Sequence, residues 1–296
     1  MDTLSPLLSA QDALARLEAS TEAALPEVRE GLIARLAFRE ASGWLAHHGT
    51  WIHPVDLLLR DAGVTGSYGA AELGMRLPSV LPLTTASAPP EDPPEDRDVA
   101  AALAHARQWR RLAESRGWAP EGAIAPAGDE PALLAAVQLL AESPEEGRGD
   151  RLSSASALRA AWLWRERGGT GHPGLPIFSA PIQQLHRLAL APRATLIPGL
   201  LEAIAEAARQ ARRELNRLNG AATRGAGLKS TARARLPEAV AEALRRPVLT
   251  ARMLAGSLRI SARAAHDAID RMEAAGLLRE ATGRSSWRAF VVAERR

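Results

Sequence analysis

The sequence predicts a mainly α protein, a helical body carrying a C-terminal winged helix-turn-helix with a small β-hairpin. Three observations predict it. Ala and Leu dominate the 296 residues, whereas Tyr occurs once and Phe three times, a balance that favours helices over strands. Apolar residues recur at three- and four-residue steps along most of the chain. The last sixty residues then lay out helix, helix, turn, helix and hairpin in that order.

Taken in order, helices are expected at Pro6–Leu25, Pro26–His47, Asp98–Arg116, Pro131–Glu142, Ser153–Arg167 and Pro198–Leu218. Several open on Pro or just after Ser or Asp, as helix starts do. Thr84–Asp98 repeats Pro-Pro-Glu-Asp and reads as an acidic linker, too polar to bury itself. Glu142–Asp150 is a second polar break, and Ala221–Ala234 a third, rich in Gly and Arg. The division expected is an N-terminal helical region 1–83, the acidic linker 84–98, a helical body 99–220, a basic linker 221–234 and the winged helix-turn-helix 235–296. Leu201, Ile204, Ala208, Ala211, Leu215 and Leu218 form one stripe at helical spacing. Such a stripe either lies on its own domain or faces a second copy across a two-helix seam. A homodimer with two DNA-reading ends is expected, and this stripe is its first seam candidate.

In the tail, Pro237–Arg246 reads as a first helix ended by Pro247. Thr250 caps a second, Ala251–Leu258, and Ser261 a third, Ala262–Ala275. The third carries Ala265, Ile269 and Met272 inward, and Gly276 stops it in a left-handed cap. Leu277–Ala281 and Trp287–Val292 are the hairpin strands. A third helix placed this way fits the major groove of duplex DNA.

The charge agrees with that partner. The net +3 is the balance of a −8 over residues 1–208 and a +11 over residues 209–296. A basic terminal third is the footprint of a polyanion binder. The DNA-binding residues expected are Arg259, Ser261, Ala262, Arg263, His266, Asp267, Arg271, Arg284, Ser285 and Arg288. Arg263 suits a bidentate contact to guanine and Ala262 a thymine methyl. Arg259 in the turn suits a phosphate, and Arg284 and Arg288 in the wing suit phosphate or the minor groove. Asp267 and Asp270 argue against a plain phosphate-binding face, since an acid accepts from cytosine N4 but repels phosphate. The competing reading is a winged helix that docks a protein and never touches DNA.

The run Leu249-Thr250-Ala251 … Leu258-Arg259-Ile260-Ser261 … Glu273-Ala274-Ala275-Gly276-Leu277-Leu278-Arg279-Glu280-Ala281-Thr282-Gly283-Arg284 resembles the winged-helix tail of Fic-family proteins. Ser153–Gly168, Leu175–Gln183 and Pro198–Leu218 resemble the segments that precede that tail. The Fic signature, His-Pro-Phe-x-(Asp/Glu)-Gly-Asn-Gly-Arg, is missing, and Glu145-Glu146-Gly147-Arg148-Gly149-Asp150-Arg151 stands in its place. Val55–Gly63, Ala100–Leu112 and Trp162–Gly174 are similar to a bacterial family of Fic-like helical proteins with the same kind of tail. The resemblance implies a DNA-binding domain on a helical body without the Fic activity. It also implies the alternative of an inactive adaptor or effector.

No catalytic residue, cofactor or metal is expected. His47, His48 and His53, with Asp56 and Asp61, are close in sequence but off the i, i+4 spacing of a helical ligand pair. His172-Pro173-Gly174 lacks a glycine-rich sequel, Ser153, Ser154 and Ser156 lack a nucleophile elbow's glycines, and no phosphate-binding loop is present. The chain has no cysteine, no N-terminal signal pattern and no apolar run long enough for a bilayer, so a cytoplasmic protein is expected.

Overall fold

The computed structural model describes residues 3–47, 52–63, 96–115, 117–123, 129–142, 154–168, 177–178, 193–228, 235–282 and 288–293. Among them it is mainly helical: α1 (Leu4–Glu22), α2 (Pro26–His47), α3 (Pro54–Asp61), α4 (Asp96–Glu114), α5 (Ala132–Glu142), α6 (Ser154–Gly168), α7 (Arg193–Ala226), α8 (Leu236–Arg245), α9 (Ala251–Leu258) and α10 (Ala262–Ala274). The strands β1 (Leu249–Thr250), β2 (Leu278–Glu280) and β3 (Ala289–Val292) form one antiparallel sheet in the order β1-β3-β2. No described helix is long and apolar enough to cross a membrane.

The chain divides into two compact units. Unit 1 comprises residues 1–22, 36–52 and 94–212; unit 2 comprises 23–35, 53–93 and 213–296.

In unit 1, α5 packs along α6, with α4 against α6 and α1 against α5. Arg165 of α6 is buried, and its guanidinium donates to the carbonyls of Leu112 (2.9 Å), Ser115 (3.0 Å) and Trp118 (2.8 Å). The last turn of α4 and the chain beyond it thus find donors for carbonyls that no helix bond satisfies. A second buried polar group sits among aromatics. The Trp109 indole N–H donates to His105 Nε2 at 2.9 Å, and the Trp44 ring lies 5.8 Å from the imidazole. Burial holds His105 down to about 4, although a bond with Gln108 opposes the shift.

That imidazole makes the fold acid-sensitive in a defined window. Its folded value of about 4 lies below the usual 6.5, so between those values the unfolded chain takes up a proton that the folded chain does not. Stability contributed this way is complete above pH 6.5 and declines as the pH falls towards 4. Protonating Nε2 would also set an N–H against the Trp109 N–H. His105→Gln is therefore expected to remove about 2 kcal/mol of the wild-type loss between pH 7 and pH 5. Denaturant midpoints of both proteins at the two pH values check it; parallel losses would show that His105 is not responsible.

α7 is longer than its predicted core. It starts at Arg193 and absorbs Pro198 in its second turn, where the missing N–H costs one helix bond. It also runs on through Ala226, into the stretch expected to be a basic linker. The reason is packing: Gly225 lies so close to unit 2's core that an added Cβ would meet Val240 at 2.4 Å. The stripe Leu201, Ile204, Ala208, Ala211, Leu215 and Leu218 is completely buried within the chain itself. It therefore belongs to the core, as the first of its two readings held, and offers no seam to a second copy. α3 is not among the helices expected from the sequence, since eight residues are too few for helical periodicity to stand out from a short apolar run. Pro54 opens it, Val55, Leu57, Leu58 and Leu59 are buried, and His53 Nδ1 accepts from the Val55 amide at 3.2 Å. His53 is thus an N-cap, with burial holding it down to about 4. His47's side chain, His48, residues 143–153 and His172-Pro173-Gly174 lie outside the described side chains.

Candidate nucleic-acid interface

Unit 2 builds the winged helix from local signals and then fastens it from a distance. Thr250 Oγ1 accepts from the Met253 amide and Ser261 Oγ from the Ala264 amide, both at 3.2 Å, so the two predicted N-caps are in place. α10 buries Ala265, Ile269 and Met272 and stops at Gly276, whose φ is +64°. The Leu277 amide reaches back to the Met272 carbonyl (2.9 Å) and the Gly276 amide to that of Glu273 (2.8 Å), the paired bonds of a Schellman cap. The expected strands shorten to Leu278–Glu280 and Ala289–Val292, and Leu249–Thr250 adds a strand too short to read from sequence.

Glu242 of α8 is buried. Burial alone would raise its pKa, but bonds from Arg246, Ser257 and Arg245 bring it below the usual carboxylate value. Its contact with Ser257 joins α8 to α9. From outside the winged helix, Arg35 of α2 donates to the carbonyls of Leu244 and Arg246, both at 2.9 Å, and its Nε lies 3.6 Å from Glu214. The first two are at the C-terminal end of α8, where carbonyls lack helix partners and a cation is favoured. Gly31 makes this approach possible: a Cβ there would sit 2.0 Å from the Leu244 carbonyl oxygen. Burial lowers the Arg35 guanidinium to about 9, Glu214 raises it and Arg217 lowers it further. Arg217 pairs with Glu214 and donates to the Val292 carbonyl at 2.6 Å, at the end of β3. The winged helix is therefore one part of a larger unit, completed by α2 and α7 rather than hung on a linker.

On the presented surface, Arg259, Ser261, Ala262, Arg263, His266, Asp267 and Arg271 are all exposed. The structure thus brings seven of the ten expected residues onto the turn and α10. Arg284 and Ser285 lie outside the described residues. Arg288, expected to suit phosphate or the minor groove, is engaged by side chains of its own domain. Its guanidinium donates to Glu280 (2.9 Å) and Glu273 (3.1 Å) and lies 4.8 Å from the Phe290 ring centre. The bond with Glu280 raises its pKa, so the charge is held at home, tying β3 to β2 and to α10. The sequence does not show this, because both carboxylates lie on other elements and meet Arg288 only once the sheet has formed. Arg252, exposed in the first turn of α9, is likewise not among the residues expected. Its position was the available signal, since the first helix of such a motif crosses the DNA backbone.

Among the described residues, the side chains of Arg252, Arg259 and Arg263 have no hydrogen bond or ion pair, whereas those of Arg245, Arg246 and Arg288 are each bound to carboxylates. Arg259 also has φ +52°, a left-handed conformation that normally favours glycine. The Ile260 amide bonding back to the Ala255 carbonyl at 3.1 Å shows why the turn needs it. A non-glycine residue there costs about 1 kcal/mol, so Arg259 stays at an expense to stability. Arg259→Gly is expected to stabilise the fold by up to about 1 kcal/mol while weakening DNA binding. Thermal unfolding and binding isotherms of the one variant separate the two effects; loss of both would place Arg259 in the fold rather than at the interface.

Comparison with known proteins agrees with this part of the chain. No curated protein matches the sequence. Residues 236–292 match the family described as "HTH DNA binding domain". The match covers the winged helix alone, and the Fic-like relationship expected for the body finds no support in it.

Proposed function

We propose that this chain is a sequence-specific duplex DNA-binding protein that regulates transcription. One observation carries the reading: among the described residues, three exposed arginines whose side chains have no hydrogen bond or ion pair, Arg252, Arg259 and Arg263, sit together on α9, the turn and α10 of a helix-turn-helix. Unpaired guanidinium groups are the ones free to release counterions from DNA. Arg252 and Arg259 suit phosphates, and Arg263, at the start of α10, suits a guanine edge. Occupying chosen duplex sites gives such a protein the means to block or recruit polymerase.

The test is binding of the full chain to duplex genomic fragments between 50 and 300 mM salt. Two phosphate contacts predict a log–log slope of about −1.8 or steeper. Binding that ignores salt, or is absent, would leave the winged helix as a protein-docking module.

A further inference from the structure

The outward face of α10 has an unusual order of charge for a surface that meets a polyanion. Ala265, Ile269 and Met272 point into the core. At 100° per residue, the opposite face is centred on Arg263, Asp267 and Asp270, all exposed. Neither aspartate has an ion pair or hydrogen bond among the described residues. One cation is thus followed by two free acids along the row that would lie deepest in a groove.

His266, on the flank of that row, adds an independent observation. Its Nδ1 lies 2.8 Å from the Ala262 carbonyl oxygen. A carbonyl only accepts, so Nδ1 carries the hydrogen. In that tautomer, Nε2 on the other side of the ring is a lone-pair acceptor. The central row therefore shows one donor fork, at Arg263, and acceptors at Asp267 and Asp270, with His266 beside it.

Phosphates cannot satisfy those acceptors, because they carry no hydrogen and the same sign of charge. In the major groove, the groups that can are the exocyclic amino groups, N4 of cytosine and N6 of adenine, with aspartate suited to cytosine. Resting on the DNA-binding reading above, we infer that α10 selects duplex sites by amino groups. Arg263 takes a guanine, and Asp267, one turn on, takes the N4 amino group of a nearby cytosine. Asp267 is then a specificity-determining residue: its charge penalises every duplex that fails to offer that hydrogen. The acids that looked unfavourable for binding act as a filter against sequences lacking the amino group.

The experiment selects sites from a random duplex library with the full wild-type chain. It then measures affinity for the selected duplex, for the same duplex carrying N4-methylcytosine at the selected cytosine, and for random duplex. N4-methylation replaces the groove-facing hydrogen with a methyl group. The wild type is expected to prefer a guanine near a cytosine and to lose about tenfold or more on methylation. Asp267→Ala is expected to be indifferent to methylation and to bind random duplex more tightly than the wild type does. Asp267→Ala that weakens selected and random duplexes alike, or a wild type indifferent to methylation, would overturn the inference. Salt-dependent binding without any selected sequence would overturn it too, leaving DNA binding intact. No binding to duplex DNA at any salt would remove the functional reading itself.

Discussion

Arg35→Met is expected to destabilise unit 2 by about 3–5 kcal/mol, the cost of breaking a buried ion pair from one side. The guanidinium satisfies two carbonyls, of Leu244 and Arg246, that no helix bond reaches. It also offsets Glu214, whose side chain is only 5% exposed. Methionine fills a similar volume, so the effect reports polarity rather than a cavity. Arg35→Lys keeps the charge but cannot span both carbonyls and the carboxylate, and is expected to fall between methionine and the wild type. Circular dichroism through a urea titration is the readout, because Trp44, Trp109 and Trp164 belong to unit 1 and their fluorescence follows the other unit. A midpoint unchanged by Arg35→Met would mean that α2 adds nothing to the winged helix.

The second large effect is on binding. Replacing Arg252, Arg259 and Arg263 together, by serine, glycine and serine, is expected to lower affinity for a selected duplex by about 100-fold. That figure combines two lost phosphate contacts with one lost guanine pair. The salt slope should shrink by about 1.8 in the same variant. Arg263→Ser alone should reduce discrimination between sites more than it changes the slope, since a base contact carries sequence information and a phosphate contact does not. The triple variant remains folded, as glycine relieves the left-handed residue and the other two are exposed. An affinity within threefold of the wild type would remove these arginines from the interface.

The winged helix was legible because its signals are local. Thr250, Ser261 and Gly276 each act within a few residues of themselves, and the caps and stop fall where the sequence puts them. The outward positions of Arg263, His266 and Asp267 follow from the same helical period. What escaped the sequence depends on partners on other elements or on geometry with no usual residue. Arg288 is held by Glu273 and Glu280, Arg35 by groups more than two hundred residues away, and Arg259 occupies a conformation where glycine is the ordinary choice. The stripe on α7 shows the intermediate case. Its spacing was plain, but only the packed chain shows that its own core covers it.

The contacts of Arg35 span 209 and 211 residues of sequence. A unit closed by pairings so distant has a high contact order, and its loop-closure entropy must be met before those bonds form. During synthesis, α2 leaves the ribosome long before α8 exists. Arg35 and Gly31 therefore wait, while some two hundred further residues are made, for the carbonyl they are shaped to receive, and the winged-helix unit acquires this fastening only after α8 has been synthesised.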